Sequence, residues 1–554
     1  MIQCKLISSM SKVFPDRAPD HDLELKKAGV LRGEKFAFQA AFTVDRRILA
    51  PMKIEVADGP LKKISRIRRI VPILAENLGG SIWCPPEEAA QRGYERAVPG
   101  LFPDVLTDDL EKLHACPRVW YAVWIDIEVP ETFKAGVYPV TVNLYDGGEA
   151  VSATLKIEVI DAVLPPQTLK HTEWFYCDCL CHEHKTEPWT PRFWRILERY
   201  FRNFAAHGAN LLLTPIVTPS LDTVRGGERL TTQLVKIRKT GTKYAFDFTL
   251  LKKWIRLARK CGIRYFEMAH LFTQWGADAT PKIIAEVNGR EKRIFGWDVP
   301  AASRAYKQFL NAFLPELTAF LKAEGVADDT YFHISDEPCD ANIEGYRTAS
   351  DLVRPLLKGF RIMDAASHTK FFTDGLVSLP VPSESSLCDF MELDVPERWT
   401  YYCGGPELPY SNRLHSMPAS ANRIMGTLLY LYQVQGFLHW GYNFWNSLLS
   451  THPSTMLGMD ADQGYASGDT CLVYPGDDAP LDSMRGEVFF HGLQDLRALQ
   501  LLEKLTSRKK VLALIRRAAG GRDPKMNDFP LDQAFLHKMR EAVNAAIGRA
   551  VSAK

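Results

Sequence analysis

Up to about residue 165, apolar and polar residues alternate in short runs. Phe36–Phe42, Lys53–Val56, Val119–Ile127 and Tyr138–Leu144 read as strands, separated by turn signals such as Lys134-Ala135-Gly136. Period-two alternation with frequent turns predicts a β-sandwich over residues 1–165. Leu164-Pro165-Pro166-Gln167 reads as a linker.

Beyond the linker the period changes. Apolar strands alternate with amphipathic helices, which predicts βα units around a parallel sheet. Candidate strands fall near Glu173–Tyr176, Asn210–Leu213, Arg264–Met268, Tyr331–Ser335, Arg361–Asp364, Cys388–Met391, Trp399–Tyr402 and Phe437–Tyr442. Thr190-Pro191 predicts a helix start, with Thr as cap and Pro at the first helical position. Phe193, Ile196, Leu197, Tyr200, Phe201 and Phe204 continue it at helical spacing. A second helix runs from Leu250 to Cys261 and stops at Gly262. A third carries Tyr306, Phe309, Leu310, Phe313, Leu317, Phe320 and Leu321 and is expected to kink at Pro315. The fold class is therefore α/β: a (β/α)8 barrel over residues 166–515, preceded by the sandwich. A helical C-terminal extension follows over 516–554, with a terminal helix at Leu531–Val551. An open doubly wound sheet is the rival, but no glycine-rich phosphate loop supports it.

A chain of 554 residues exceeds one hydrophobic core, which agrees with several domains. Lys and Arg number 68 against 66 Asp and Glu, a balance that gives no reason to expect nucleic acid or an anionic membrane as partner. No apolar run reaches the roughly 20 residues of a membrane-spanning helix. The 11 cysteines are odd in number and scattered, and no secretory signal is visible at Met1–Ile7, so a cytoplasmic location with reduced thiols is expected. Aromatic residues make up 11% of the chain, with 12 tryptophans, and several aromatics cluster late in it, which suits a neutral, flat-faced ligand such as a sugar.

The sharpest candidate for chemistry is His333-Ile334-Ser335-Asp336-Glu337-Pro338. Two adjacent carboxylates follow an apolar strand and a proline ends it. On a barrel, that end opens onto the catalytic face. Adjacent carboxylates raise each other's pKa, so one can hold a proton as general acid while the other stays charged. Glycoside cleavage needs that division. Other strand ends carry His270, Gln274 and Trp275, Asp364, Glu392, Tyr401 and Tyr402, and Trp440, Tyr442 and Asn443. Trp275, Tyr402, Trp440 and Tyr442 are the expected stacking walls. His270, His333, Asp364 and Asn443 are the expected polar contacts to the sugar.

The segment His333–Pro338 resembles the catalytic segment of glycoside hydrolase family 123 and the related domain-of-unknown-function family 4091. Glu173–Leu180, Leu213-Thr214-Pro215, Gly436–Asn443 and Val473-Tyr474-Pro475-Gly476 are similar to that group in the same order. The resemblance implies a retaining exo-β-N-acetylhexosaminidase that uses the substrate's own acetamido group, with N-acetylgalactosamine the first choice. It implies that Glu337 is the general acid and base and that Asp336 orients the acetamido N–H. It requires no cofactor. Family 20 hexosaminidases place two glycines before the Asp-Glu pair, and both are missing here.

Two alternatives stay open. One is a glycosidase for another sugar, pairing Glu337 with Asp364 or Glu392. The other is a barrel that only binds carbohydrate. In either case the expected partner is an oligosaccharide or glycoconjugate, with a homodimer allowed. The run Cys177-Asp178-Cys179-Leu180-Cys181-His182-Glu183-His184 contains zinc-type ligands. Its spacing matches no standard finger, and alternate cysteines on a strand would share one buried face, so no metal is expected. Asp460, Asp462 and Asp469 lack the EF-hand spacing. Serine-hydrolase, zincin and phosphate-loop motifs are absent.

Overall fold

A computed structural model describes residues 2–79, 93–96, 98–146, 150–454 and 459–553. The N-terminal part packs two sheets face to face. One sheet orders Ile2–Ser8, Lys35–Val44, Tyr121–Glu128, Ser65–Ala75 and Gly100–Thr107, all antiparallel. The other orders Lys27–Arg32, Ala150–Val163, Gly136–Tyr145 and Lys53–Val56. Inward residues such as Phe38, Phe42, Val123 and Ile125 meet Val140, Val142, Leu155 and Ile157 in one core. The alternation read from the sequence is this in-out pattern. Two short strands from far along the chain, Pro480–Ser483 and Tyr474–Pro475, extend the first sheet through Ser483 opposite Val105.

Eight parallel strands form the barrel. In chain order they are Lys170–Glu173, Leu211–Thr214, Tyr265–Met268, Thr330–Phe332, Arg361–Ala365, Leu379–Val381, Trp399–Tyr401 and Gly436–His439. The ring closes between the sixth and seventh. There the Tyr401 N–H donates to Pro382 O at 3.1 Å and the Glu384 N–H to Tyr401 O at 2.9 Å. Gly436 is required where the last strand crosses Trp399, since a Cβ would lie 2.1 Å from the indole.

Seven of the eight strands lie where the sequence places them. The sixth does not. Leu387–Phe390 is a 3₁₀ turn, and the strand is Leu379-Pro380-Val381. Three residues with a central proline leave almost no periodicity to read. The helices follow their signals. Pro191–Ala206 is capped by Thr190, whose hydroxyl accepts from the Phe193 N–H. Thr249–Lys260 is followed by Gly262 at φ +95°. Arg304–Ala323 runs as one helix through Pro315. The terminal helix, Gln533–Ser552, packs against the sandwich strands Lys27–Arg32 and Ala150–Val163.

The cysteine run is a short helix, Cys177–Glu183, and not the strand expected from its alternation. All three thiols are buried, and burial pushes the Cys177 and Cys179 thiols up. A further four-stranded sheet is inserted on the barrel's catalytic side. It joins the hairpin Lys236–Thr240/Lys243–Asp247 to the hairpin Ile283–Val287/Arg290–Phe295. Asn288 and Gly289, at φ +53° and +74°, close the second hairpin as a two-residue turn. Both hairpins are rich in charge and are not among the strands expected from the sequence. Among the described residues, no helix is long and apolar enough to cross a membrane.

Candidate active site

A cavity of about 570 Å³ opens at the C-terminal ends of the barrel strands. Asp336 and Glu337 stand together in its wall. The fourth strand ends at Phe332, and His333–Ser335 continue inward, fully buried. The segment is fastened to the loop after the third strand. Leu271 and Phe272 donate backbone N–H groups to His333 O and Ile334 O at 3.2 and 3.0 Å. Ser335 Oγ donates to Thr273 O at 2.7 Å, and Trp275 N to Asp336 O at 2.9 Å. Glu337 sits at φ +43° and Trp275 at φ +57°. Each left-handed residue costs of order 1–3 kcal/mol, so both turns are held by these surrounding bonds.

Glu337 accepts a 2.7 Å hydrogen bond from the Tyr401 hydroxyl. Asp336 is pushed well above the usual carboxylate range, first by burial and then by the charge of Glu337. His333 opposes that rise. Asp336 therefore holds a proton more readily than an isolated carboxyl.

Beneath them lies a buried charged cluster. His333 bonds Glu267 Oε1 through Nε2 at 2.6 Å and Asp364 Oδ1 through Nδ1 at 2.9 Å. These two carboxylates overcome the cost of burial and raise its pKa to about 10, so the ring is a cation at neutral pH. Glu267 also accepts from Thr172 Oγ1 at 2.7 Å and from Trp174 Nε1 at 2.6 Å. Asp364 accepts from the Ile334 N–H at 3.1 Å and from the Tyr346 hydroxyl. His270 stacks on His333 with ring centres 4.2 Å apart. Burial, together with the His333 charge, pushes its pKa well down, so His270 is neutral. Trp174, edge-on to His270, carries this cluster to the cavity surface.

The expected contact residues divide into two groups. Trp275 and Trp440 line the cavity with Asp336 and Glu337. Trp275 is 49% exposed there, as an open stacking face. His270, His333 and Asp364 lie one layer below. Tyr402 points away from the cavity, packing on Phe437 and His439, because successive strand residues face opposite sides. Its neighbour Tyr401 takes the cavity side. Tyr442 stacks on Phe175 and donates to Asn203 Oδ1 at 2.9 Å. Asn443 holds the Tyr176 backbone, accepting from its N–H at 2.9 Å and donating to its carbonyl at 3.0 Å. Glu392 is exposed after the 3₁₀ turn and is not in the wall.

Other wall residues come from loops and lack any periodic signal. Asp222, at φ +43°, accepts from the Tyr465 hydroxyl at 2.6 Å. Asp469 accepts from Trp440 Nε1 at 3.0 Å, and burial lifts its pKa to about 7. The segment Cys403–Tyr410 completes one side. Two of these loops rest on the N-terminal part. Asn77 Nδ2 donates to Tyr465 O at 2.8 Å, and the Ser467 N–H to Asn77 O at 2.7 Å. The Tyr94 hydroxyl donates to Glu407. The sandwich region therefore buttresses the cavity. Asn77→Ala strips the Tyr465 carbonyl of its donor. It is expected to lower kcat/KM about fivefold, the rate equivalent of about 1 kcal/mol. Unchanged kinetics would show that this buttress has no hold on the pocket.

Among the described residues, two groups bring metal-type ligands together: His270–His333–Asp364 and His207–Asp482–Glu487. Both nitrogens of His333 are already bonded to carboxylates. Glu487 is paired with Lys35 and Arg68. Neither group offers a free ligand set.

A barrel with paired carboxylates at its C-terminal mouth and aromatic walls is the constellation of a glycoside hydrolase. The comparisons place it further: a model of the glycoside hydrolase 123 catalytic domain matches residues 174–502, and the chain belongs to glycoside hydrolase family 123. Among solved structures, a family 123 glycoside hydrolase from Clostridium perfringens, described for glycolipid glycan hydrolysis, superposes with a TM-score of 0.73 at 15% identity, covering 100% of this chain and 98% of that one. A β-glucuronidase from Parabacteroides merdae gives a TM-score of 0.30 at 8% identity, covering 82% and 50%. An endo-β-1,4-mannanase from Thermotoga petrophila gives 0.33 at 10%, covering 60% and 77%. No curated protein matches the sequence.

Proposed function

We propose that this glycoside hydrolase releases terminal β-linked N-acetylhexosamine with retention, N-acetylgalactosamine being the first choice, by substrate-assisted catalysis. The observation that carries the reading is the adjacency of Asp336 and Glu337 on one wall of an aromatic cavity. Glu337 protonates the glycosidic oxygen as the C1–O bond breaks. The acetamido oxygen attacks C1 and forms an oxazolinium ion, which keeps its N–H and donates it to the Asp336 carboxylate. Such a donor favours the charged form of Asp336, the form that accepts its hydrogen bond. Glu337 then takes a proton from the water that opens the oxazolinium ion. No protein nucleophile is needed, unlike the usual pair of opposed carboxylates.

Two features weigh against a partner carboxylate at Asp364 or Glu392. Asp364 is committed to His333, Tyr346 and the Ile334 N–H, and Glu392 is outside the wall. The Clostridium relative's link to glycolipid glycans supports a glycoconjugate or an oligosaccharide derived from one. The reading keeps a cytoplasmic location, resting on the 11 scattered cysteines, with imported oligosaccharide as substrate.

The test compares p-nitrophenyl β-N-acetylgalactosaminide, β-N-acetylglucosaminide and β-galactoside. Turnover is expected only with the N-acetyl sugars. Asp336→Asn is expected to slow it about 100-fold through a misplaced acetamido group. Comparable turnover of the plain galactoside would sink acetamido participation.

A further inference from the structure

From Leu271 to Ala277 every residue is buried except Trp275, which is 49% exposed. A large ring left half in water forgoes the stabilisation that burial would give it. The backbone that carries it is strained as well. Trp275, Gly276 and Ala277 run at φ +57°, +118° and +59°. Left-handed backbone is unfavourable for residues other than glycine, and it persists only where surrounding contacts hold it. Those contacts are in place. The Trp275 N–H donates to Asp336 O at 2.9 Å, and Gln274 Nε2 donates to Thr223 O at 3.3 Å. Gly276 lies so close to Asn342 that a Cβ would come within 2.6 Å of the Asn342 Cβ. The loop is a fixed mount that holds one indole in the open.

The cavity has a buried floor and an open mouth. Trp174, Tyr176 and Leu438 are buried and line its floor. In the wall Asp336 is half-buried, while Glu337, the next residue, is exposed. A terminal sugar whose acetamido group meets Asp336 therefore lies toward the floor. Its glycosidic oxygen, at Glu337, faces outward, and the group beyond that oxygen occupies the mouth, where Trp275 stands. The size of the cavity agrees. One N-acetylhexosamine unit takes about 250 Å³ at interior packing density, less than half of the roughly 570 Å³ available.

We infer that Trp275 is the platform for the leaving-group side of the scissile bond, so that this pocket prefers a terminal sugar joined to a second pyranose over one joined to a short alkyl group. The inference rests on the reading of Glu337 as the acid that protonates the glycosidic oxygen. The C–H face of a pyranose matches the indole face in size and polarity, whereas a methyl group covers little of it. Because the mount is already rigid, the stacking contact costs little ordering when the substrate binds. Trp275 thus acts on which leaving group is accepted, apart from the chemistry of Asp336 and Glu337.

The test compares a disaccharide of N-acetylgalactosamine β-linked to galactose with methyl β-N-acetylgalactosaminide. An aryl glycoside is avoided because its ring would itself stack on Trp275. Trp275→Ala is expected to lower kcat/KM about tenfold for the disaccharide and less than about twofold for the methyl glycoside. Trp275→Phe, which keeps a flat ring, is expected to hold the disaccharide loss to about threefold. Inhibition by free N-acetylgalactosamine, which fills only the floor, should be unchanged. Equal losses on the two substrates would overturn the inference, as would an unchanged disaccharide rate or an equal weakening of monosaccharide inhibition. Trp275→Leu, which keeps apolar bulk without a flat face, serves the same comparison should the alanine variant fail to fold. If only a non-acetylated sugar is released, the N-acetylhexosaminidase reading fails, and the same pair built on that sugar decides the inference. If nothing is released, equilibrium binding of the disaccharide and of the monosaccharide to wild type and Trp275→Ala decides it. A loss confined to the disaccharide supports the inference, and an equal change, or none, overturns it.

Discussion

Glu337→Gln is expected to lower hydrolysis of an oligosaccharide substrate by 10²–10⁴, the usual worth of a positioned general acid and base. The amide keeps the shape and the contact with Tyr401 but has no proton to give. Bond breaking then expels an unprotonated alkoxide. The loss should be much smaller for a p-nitrophenyl glycoside, whose leaving group departs without a proton. The ratio of the two losses is the diagnostic measurement. Near-normal cleavage of the oligosaccharide would remove Glu337 from the acid role. Equal losses on both substrates would point instead to a binding or folding defect. Tyr401 gives a milder check, since Tyr401→Phe removes a single hydrogen bond from the same carboxyl.

The second large effect is on stability. His333→Gln is expected to cost about 3–5 kcal/mol, because it leaves Glu267 and Asp364 as buried charges without their cation. The chemical-denaturation midpoint of the variant measures this. Adding Glu267→Gln and Asp364→Asn removes those charges and should recover part of the loss. The same cluster predicts a pH dependence. His333 has its folded pKa raised from 6.5 to about 10. A raised pKa gives stabilisation that is complete below pH 6.5 and fades as pH climbs toward and through 10. Wild-type stability should therefore decline between pH 7 and 10, and the variant should show a shallower decline. A variant as stable as wild type, with the same slope, would mean that the cluster is not the charged core described above. The cluster matters for function because Trp174, bonded to Glu267, is part of the cavity wall.

Legibility in the sequence followed local physics. The sandwich strands, the capped helix at Thr190 and seven barrel strands each carry their signal in neighbouring residues. Asp336-Glu337 was legible because strand, carboxylates and proline are contiguous. Tyr402 and Tyr401 show where such reading stops. Both end the seventh strand, and only the pleat decides which one faces the sugar. His270 and Asp364 were visible as polar residues at strand ends, but burial beneath the wall is a property of the closed barrel. Glu267 gave no cue, since one glutamate inside the strand Tyr265–Met268 looks like a surface residue until His333, Thr172 and Trp174 surround it.

The chain's own pattern determined the α/β class, the order of sandwich, barrel and helical end, and the acidic pair at its catalytic mouth. Periodicity, caps and turns act over a few residues, so they can be read one stretch at a time. Only the tertiary structure decided that Asn77 supports the loop of Tyr465, that strands near residue 480 complete an N-terminal sheet, and that Asp222 and Asp469 share a wall with Asp336. Those contacts join positions far apart in the chain. They exist because barrel closure and the docking of the sandwich bring loop ends together, and no local preference encodes that meeting.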